Sequence, residues 1–421
     1  MRIDDIELEA KGTAARLSAT VAWEECDRAP QRVYFETDEE FAPYLSSSPH
    51  AFLVASLLPA MRHGEKRIAI QEAICPELRD GLETAMLFIR EWHDQKGEPV
   101  RIEAKKPGRA RAQEAKAKHT ALFVSGGVDS MASLVANRRN YPQDHPGSIK
   151  SGIFVHGFDM GAYARGDREL GAYERARTLL GDVARAADMS LVPVYTNVRH
   201  LDDDVLFWMH EFHGAALAAV AHALAHGFSD VLIASTYDAP NLEPWGSHPL
   251  LDPFYGSSDL RIRHDGLRYS RLEKVRMVAE WDVALQNLRV CTENPSDAQN
   301  CGRCEKCVRT MTELLALGQL ARCKAFPTGD VSREMLDSIR ITNGLQDGIY
   351  QELIEPLTAR GRADLAQVIQ AKSAQYHRQL AWEEERDWKG SVKRFDRRFL
   401  RGSIYTSYRR ARRVLQKRPS D

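Results

Sequence analysis

The sequence predicts an α/β protein built around a doubly wound parallel sheet, and three observations carry that prediction. Four apolar runs of strand length recur at near-equal intervals: TALFVS from Thr120, GIFVHG from Gly152, LVPVYT from Leu191 and DVLIAS from Asp230. Amphipathic stretches that read as helices accompany them, roughly Val128 to Arg139, Glu169 to Ala187, Leu206 to His226 and Arg271 to Leu285. Strands that alternate with helices form a parallel sheet wound by right-handed crossovers. Finally, the first of these strands ends in Ser125-Gly126-Gly127-Val128-Asp129-Ser130, and a helix begins at once.

The elements before this core have a different texture. Residues 1–100 mix the β-type runs RLSATVAW from Arg16, QRVYFET from Gln31 and KRIAIQE from Lys66 with a striped helix candidate, ELRDGLETAMLFIREW from Glu77. They read as a small α+β N-terminal domain. Residues 101–118 carry seven basic and two acidic residues around Pro107 and Gly108, without apolar periodicity, and read as a basic linker. The core is expected over 119–325 and a helical C-terminal region over 326–385. The tail, 386–421, holds thirteen Lys or Arg against three Asp, with five aromatics interleaved. It reads as a docked amphipathic helix or as a basic arm for an anionic partner.

Composition narrows the function classes. At 421 residues the chain exceeds one ordinary domain. Fifty-eight basic against fifty-nine acidic residues exclude a protein that coats nucleic acid by net charge. No apolar run approaches a membrane span, so a soluble chain without membrane contact is expected. The start, MRIDDIELEA, lacks the basic and apolar regions of a secretory signal. The expected location is the cytoplasm, where disulfides are rare, so the seven cysteines need another reading.

The glycine-rich hexapeptide offers the first chemistry. Two glycines let the backbone approach an anion, and the helix start behind them aims its amides and the positive end of its dipole at it. Ser125 and Ser130 add hydroxyl donors. The spacing is not that of the G-x-x-x-x-G-K-[ST] loop, since the lysine is missing and the loop is shorter. The hexapeptide resembles the SGGxDS pyrophosphate loop (PP-loop) of the N-type ATP pyrophosphatases, in the adenine nucleotide alpha hydrolase superfamily. That resemblance implies a HUP-like core, with Ser125, Gly126, Gly127, Val128, Asp129 and Ser130 on the phosphates of ATP together with Mg2+. It also implies that a substrate oxygen attacks the α-phosphorus, that pyrophosphate departs, and that a nitrogen or sulfur nucleophile then displaces AMP. Asp129 is expected to orient the loop or a metal-bound water.

Four of the cysteines, Cys291, Cys301, Cys304 and Cys307, form a C-x9-C-x2-C-x2-C run. Such spacing can close a tetrahedral thiolate shell, with Zn2+ the leading occupant and an iron–sulfur cluster or free thiols the alternatives. The PP-loop followed by C-x9-C-G-R-C-E-K-C-V-R is similar to 7-cyano-7-deazaguanine synthase over about half of the chain, His119 to Lys324. This resemblance implies structural zinc on the four thiolates. The segment from Ser270 to Val275 is similar to the family's S-K-A-E-I-V, so Arg271 takes the place of a phosphate-binding lysine, with Lys274 a second cation one helical turn on.

The family's substrate segment is missing. STYDAPNLEPWGSHPLLDPFYGSSDLR from Ser235 stands in its place. Ser235 and Asp238 follow the fourth core strand, at the end of a sheet where open α/β folds bind ligands; with Trp245 and Asp252 they are the candidate substrate contacts. His210 and His213 have helical i, i+3 spacing but an alanine-rich surround, which favours a packing role. The expected activity is ATP-dependent activation of a carboxylate-, amide- or deazaguanine-type substrate and its transfer to an amine. A protein or peptide acceptor and a homodimer are compatible with the resemblance, because long relatives of the synthase occur in bacterial anti-phage and natural-product gene sets. Sulfur insertion, as in RNA thiolases built on the same loop, and a non-catalytic nucleotide- or deazaguanine-binding subunit are the alternatives.

Overall fold

A computed structural model describes residues 1–93, 98–105, 118–158, 160, 167–293, 295 and 298–386. Ten strands form one sheet: β1 (Arg2–Lys11), β2 (Ala14–Ala22), β3 (Gln31–Asp38), β4 (Arg67–Ala73), β5 (Arg101–Lys105), β6 (His119–Phe123), β7 (Ile149–His156), β8 (Ser190–Thr196), β9 (Phe228–Ala234) and β10 (Arg261–Asp265). Their spatial order is β10-β9-β6-β7-β8-β3-β2-β1-β4-β5. The first five in that order are mutually parallel, and the expected core runs are β6, β7, β8 and β9. β6 lies at the centre of this parallel wing. The chain goes one way from it to β7 and β8 and later returns to its other side for β9 and β10. Such a reversal opens a crevice at the carboxyl ends of the flanking strands, where α/β proteins place ligands.

The helices of this unit are α1 (His50–Arg62), α2 (Pro76–Trp92), α3 (Val128–Asn140), α4 (Asp167–Ala186), α5 (Val205–Phe207), α6 (His213–Ala223), α7 (Arg271–Ala279), α8 (Asp282–Gln286) and α9 (Glu305–Ala316). Two expected helices are interrupted. Between α5 and α6, within the expected Leu206–His226 helix, Trp208–Phe212 forms a single π-helical turn. The expected Arg271–Leu285 helix breaks at Glu280 and Trp281 into α7 and α8. α1 and α6 are apolar nearly all round because both lie inside; they bring Phe52, Leu53 and Leu57 together with Ala215, Ala219 and Val220 in one core that also takes in Phe35 and Phe228.

The N-terminal residues do not close a sheet of their own, as a separate α+β domain would. β3 joins the parallel wing antiparallel to β8, and the contacts of Met1–Val331 make one compact unit. Arg101–Lys105, expected in the linker, is edge strand β5. The β3–β8 seam is short, with only Phe35 opposite Thr196 and Glu36 opposite Tyr195 in register. Pro193 is one cause, since it has no amide to donate. Side chains take over instead. Thr37 donates its hydroxyl to the Pro193 carbonyl at 2.7 Å, Thr196 donates to Tyr34 O at 2.6 Å, and the Asn197 amide bridges Tyr34 N and Arg32 O at 3.0 and 2.9 Å.

Ser332–Asp421 forms a second unit. Its described part is helical: α10 (Arg333–Ser338), α11 (Gly344–Gln351), α12 (Ile354–Ala359) and α13 (Ala363–Arg386). Leu336, Leu353, Leu357, Leu365 and Ile369 are buried there, and the Ser332 and Asn343 side chains cap α10 and α11. Beyond Arg386 the expected basic tail lies outside the described residues, as do residues 106–117 of the expected linker. No helix among the described residues is long and apolar enough to cross a membrane.

Candidate phosphate loop and metal centre

β6 delivers Ser125–Ser130 to the reversal point of the parallel wing, and α3 starts at Val128 with Gly127 as its N-cap. Gly126 takes φ +79°, a conformation that strains any side chain, and an added Cβ would stand 3.1 Å from Arg289 Cβ. Gly127 N donates to Ser125 Oγ at 3.3 Å, and the Ser130 hydroxyl donates back to Gly127 O at 3.1 Å. The helix start has no side-chain cap. Its first amides therefore remain as donors for an anion.

Behind the loop the two expected cations converge on Asp129. Arg271 Nη1 and Lys274 Nζ each stand 3.4 Å from Asp129 Oδ1. Ser270 caps α7 through a capping box with Glu273, which fixes the helix start that carries both cations. Arg271 also reaches Glu313 Oε1 at 3.2 Å and Thr310 Oγ1 at 3.2 Å, both on α9. Burial pushes the Glu313 carboxyl above its usual range, and Arg271 and Arg309 partly offset that push. Burial works against the Arg271 charge as well, but Glu313 and Asp129 hold its pKa above the ordinary value. Lys274, 1% exposed, donates to the Ser235 carbonyl at 2.6 Å. Asp129 is thus tied to two cations, and this pairing orients the loop more directly than a role on a bound water would.

The four thiols predicted as a set come together. Cys291, Cys301, Cys304 and Cys307 place their sulfurs within 4.8 Å of one another, and none is in a disulfide. The Cys301–Cys307 and Cys304–Cys291 sulfur separations are 3.9 and 4.0 Å. A tetrahedral thiolate shell with metal–sulfur bonds of about 2.3 Å requires sulfur edges of about 3.8 Å, so the donor set fits a metal such as zinc. Backbone amides of Cys301, Arg303 and Cys304 point at the sulfurs of Cys291 and Cys301 from 3.3 to 3.5 Å, the kind of surround that favours thiolate. Gly302 turns the chain at φ +71°, where an added Cβ would meet Pro327 Cγ at 2.5 Å. Asn300, 1% exposed, accepts from Val290 N and Cys291 N at 2.9 and 3.1 Å and donates to Leu288 O and Ala325 O. Neither Arg289 nor Asn300 was singled out by the sequence reading, because an isolated Arg or Asn in a loop has no pattern.

The candidate substrate residues separate. Ser235 is buried at the end of β9, with its hydroxyl on Tyr237 O at 2.6 Å. Asp238 accepts from Asn241 Nδ2 at 2.5 Å beside it. Trp245 is half-buried against His210 at 4.6 Å between ring centroids, with Tyr237 at 6.0 Å and His213 at 6.4 Å. His213 Nδ1 donates to the Trp208 carbonyl across the π-helical turn. Asp252 is different: it is 0% exposed and accepts from Ser247 Oγ at 2.7 Å, His264 Nδ1 at 2.8 Å and His248 N at 3.2 Å. It is an internal holder of the 247–252 loop, not a group that faces a ligand. A groove of about 700 Å³ elsewhere, lined by residues such as Glu77, Thr84, Phe254 and Arg261, shares no residue with the loop.

Comparisons with known proteins add no family: no family model matches the chain, and neither the curated proteins nor the solved structures contain a match.

Proposed function

We propose that this chain is an ATP-dependent enzyme that forms AMP and pyrophosphate, adenylating a carboxylate- or amide-type group and passing it to a nitrogen nucleophile. The observation that carries the reading is the SGGVDS loop at the reversal point of a parallel sheet. It combines an uncapped helix start, two hydroxyls and Arg271 and Lys274 behind Asp129. A ligand with several phosphate oxygens matches that donor set, and the resemblance of the hexapeptide to the ATP pyrophosphatase loop supplies the nucleotide.

In this reading the loop amides and the Ser125 and Ser130 hydroxyls hold the β- and γ-phosphates. A substrate oxygen forms a bond to the α-phosphorus as the bond to pyrophosphate breaks, and the loop donors stabilise the charge on the departing oxygen. A nitrogen nucleophile then forms a bond to the activated carbon, AMP leaves with the bonding electrons, and the nitrogen loses its proton. Magnesium, when bound, would supply further charge neutralisation on the phosphates; Asp129, paired with Arg271 and Lys274, keeps the loop oriented. The thiolate shell uses all four of its sulfurs, so zinc there is structural, with no open position for substrate.

Nitrogen transfer is favoured over sulfur insertion because the clustered thiols are committed to one shell and Cys323 is buried with its thiol on Leu285 O at 3.2 Å. Trp245, Tyr237 and Asp238 are the proposed acceptor-side contacts, Ser235 acts there by holding Lys274, and the acceptor is a deazaguanine-type base, a peptide or a protein. The unpaired cysteines suit a reducing cytoplasm. The test is incubation with Mg-ATP followed by mass spectrometry of nucleotides, small molecules and co-purified proteins. AMP and pyrophosphate are expected, with turnover lost in Ser125→Ala; ADP and phosphate would overturn the adenylation chemistry. Binding of ATP without turnover toward any acceptor would favour a non-catalytic subunit.

A further inference from the structure

The phosphate loop and the thiolate shell are far apart in sequence yet joined through very few residues. Arg289 lies two residues before Cys291. Its backbone amide donates to Gly126 O at 2.8 Å, and its guanidinium Nη1 donates to Ser125 O at 3.4 Å. The next two amides, of Val290 and Cys291, are clamped by Asn300, the residue just before the second thiolate, Cys301. On the far side of the loop, the third thiolate, Cys304, is the N-cap of α9, and the helix contains the fourth. Thr310 and Glu313, three and six residues beyond Cys307, occupy the same face and hold Arg271, which pairs with Asp129. One shell therefore grips the loop at both ends, through Gly126 and through Asp129.

The three cations around the loop differ in placement. Lys274 is buried and Arg271 largely so, each with carboxylate or carbonyl partners behind the loop. Arg289 is half-buried and lies against the exposed Ser125. A forked guanidinium at the edge of an anion cradle is suited to bidentate recognition of phosphate oxygens.

We propose that Arg289 is a phosphate-binding residue of the loop and that the four-thiolate metal site sets its position, so that nucleotide binding and metal retention are thermodynamically coupled. The proposal rests on the reading of SGGVDS as a nucleotide phosphate site. It adds a ligand contact to that site and gives the metal a role beyond folding. Coupling between two sites is reciprocal. If the metal holds Arg289 and Gly126 in the binding arrangement, then a bound polyphosphate must in turn hold the metal.

Two measurements on the full-length, metal-loaded protein test this. Calorimetry with Mg-ATP and with inorganic pyrophosphate should give a Kd that rises roughly tenfold or more in Arg289→Ala and is partly restored in Arg289→Lys, as for loss of a charge-assisted hydrogen bond. Metal content and melting temperature should be unchanged in both variants. Transfer of the metal to a chromogenic chelator should slow at least about fivefold when saturating Mg-ATP or pyrophosphate is present, and this protection should shrink in Arg289→Ala, which keeps only the backbone bond to Gly126 and the route through Arg271. Equal affinity in the wild type and Arg289→Ala overturns the assignment of Arg289 while leaving the nucleotide reading intact. An unchanged rate of metal transfer, or protein purified without metal, overturns the coupling. Absence of any binding to the wild type overturns the nucleotide reading itself.

Discussion

Two buried carboxylates in the same unit, Glu313 beneath the phosphate loop and Asp252 beside β10, keep different company. Asp252 gathers a hydroxyl, an imidazole N–H and a backbone amide, all from its own neighbourhood. Its lone pairs are largely used within the loop it organises. Glu313 faces Arg271, which also answers to Asp129 and Thr310, and the chain of pairs ends at a helix start whose amides have no side-chain cap. The first cluster satisfies itself, whereas the second is satisfied only up to its rim. The lesson concerns how a buried carboxylate is read: burial alone does not mark function, but burial that leads through charged partners to an open set of donors does.

The largest expected effect removes what holds the second cluster together. Cys304→Ser should abolish stoichiometric metal in elemental analysis and lower the melting temperature by about 10 °C or more, since a closed thiolate site contributes directly to folding. A variant that keeps its melting temperature without metal would detach the shell from the fold. The next effect separates the two carboxylates. Glu313→Ala takes from the buried Arg271 its buried carboxylate partner, leaving Asp129 and Thr310, and should cost about 3 kcal/mol in denaturant unfolding. Ser247→Ala, which removes one neutral donor from Asp252, should cost only about 1–2 kcal/mol. Equal losses would erase the distinction drawn between them.

Between those two lies a pH effect that belongs to neither cluster. Burial lowers the pKa of His222 from 6.5 to about 3 and that of His50 to about 4. His222 donates to Tyr255 O at 2.7 Å, His50 accepts from Cys75 N at 3.0 Å, and their rings meet edge to face between α1 and α6. Both are neutral in the folded state, while the unfolded chain takes up protons below about pH 6.5. Their contribution is therefore complete above pH 6.5 and is lost as the pH falls from there towards 4. Urea titrations at pH 7 and pH 5 should show a drop in stability that His222→Gln reduces. An equal drop in that variant would move the origin of the effect elsewhere.

The parts of this architecture that were legible in the sequence are those with repetition. β6 to β9 announce themselves as apolar runs because each lies in the covered interior of the parallel wing. The four cysteines announce themselves because metal geometry restricts their spacing. The strands missed by sequence reading, β1, β5 and β10, share a physical reason: each has a single buried residue among those described, respectively Ile3, Ile102 and Ile262. With one anchored residue there is no alternation to detect. The π-helical turn at Trp208–Phe212 (WMHEF) lies inside a longer helical pattern, which reads the same whether the helix runs straight or widens. Asp252 was misjudged because a sequence shows that an aspartate follows a strand but not that three donors already surround it.

The β3–β8 seam has a consequence for how the molecule can be taken apart. All five strands of the mixed wing precede, in the chain, all five of the parallel wing, and the backbone passes from one set to the other once, between Lys105 and His119. The seam is fastened by Thr37, Thr196 and Asn197 side chains and by the shared apolar interior, with little backbone ladder. A polypeptide cut between those two residues divides the sheet along a line with only two residue pairs in register and leaves each half its own uninterrupted run of strands. Fragments 1–105 and 119–421, produced separately, are thus natural partners for reassembly, with recognition residing in the Thr37, Thr196 and Asn197 bonds, in ion pairs such as Arg177–Asp38 and Arg62–Asp202, and in a common core.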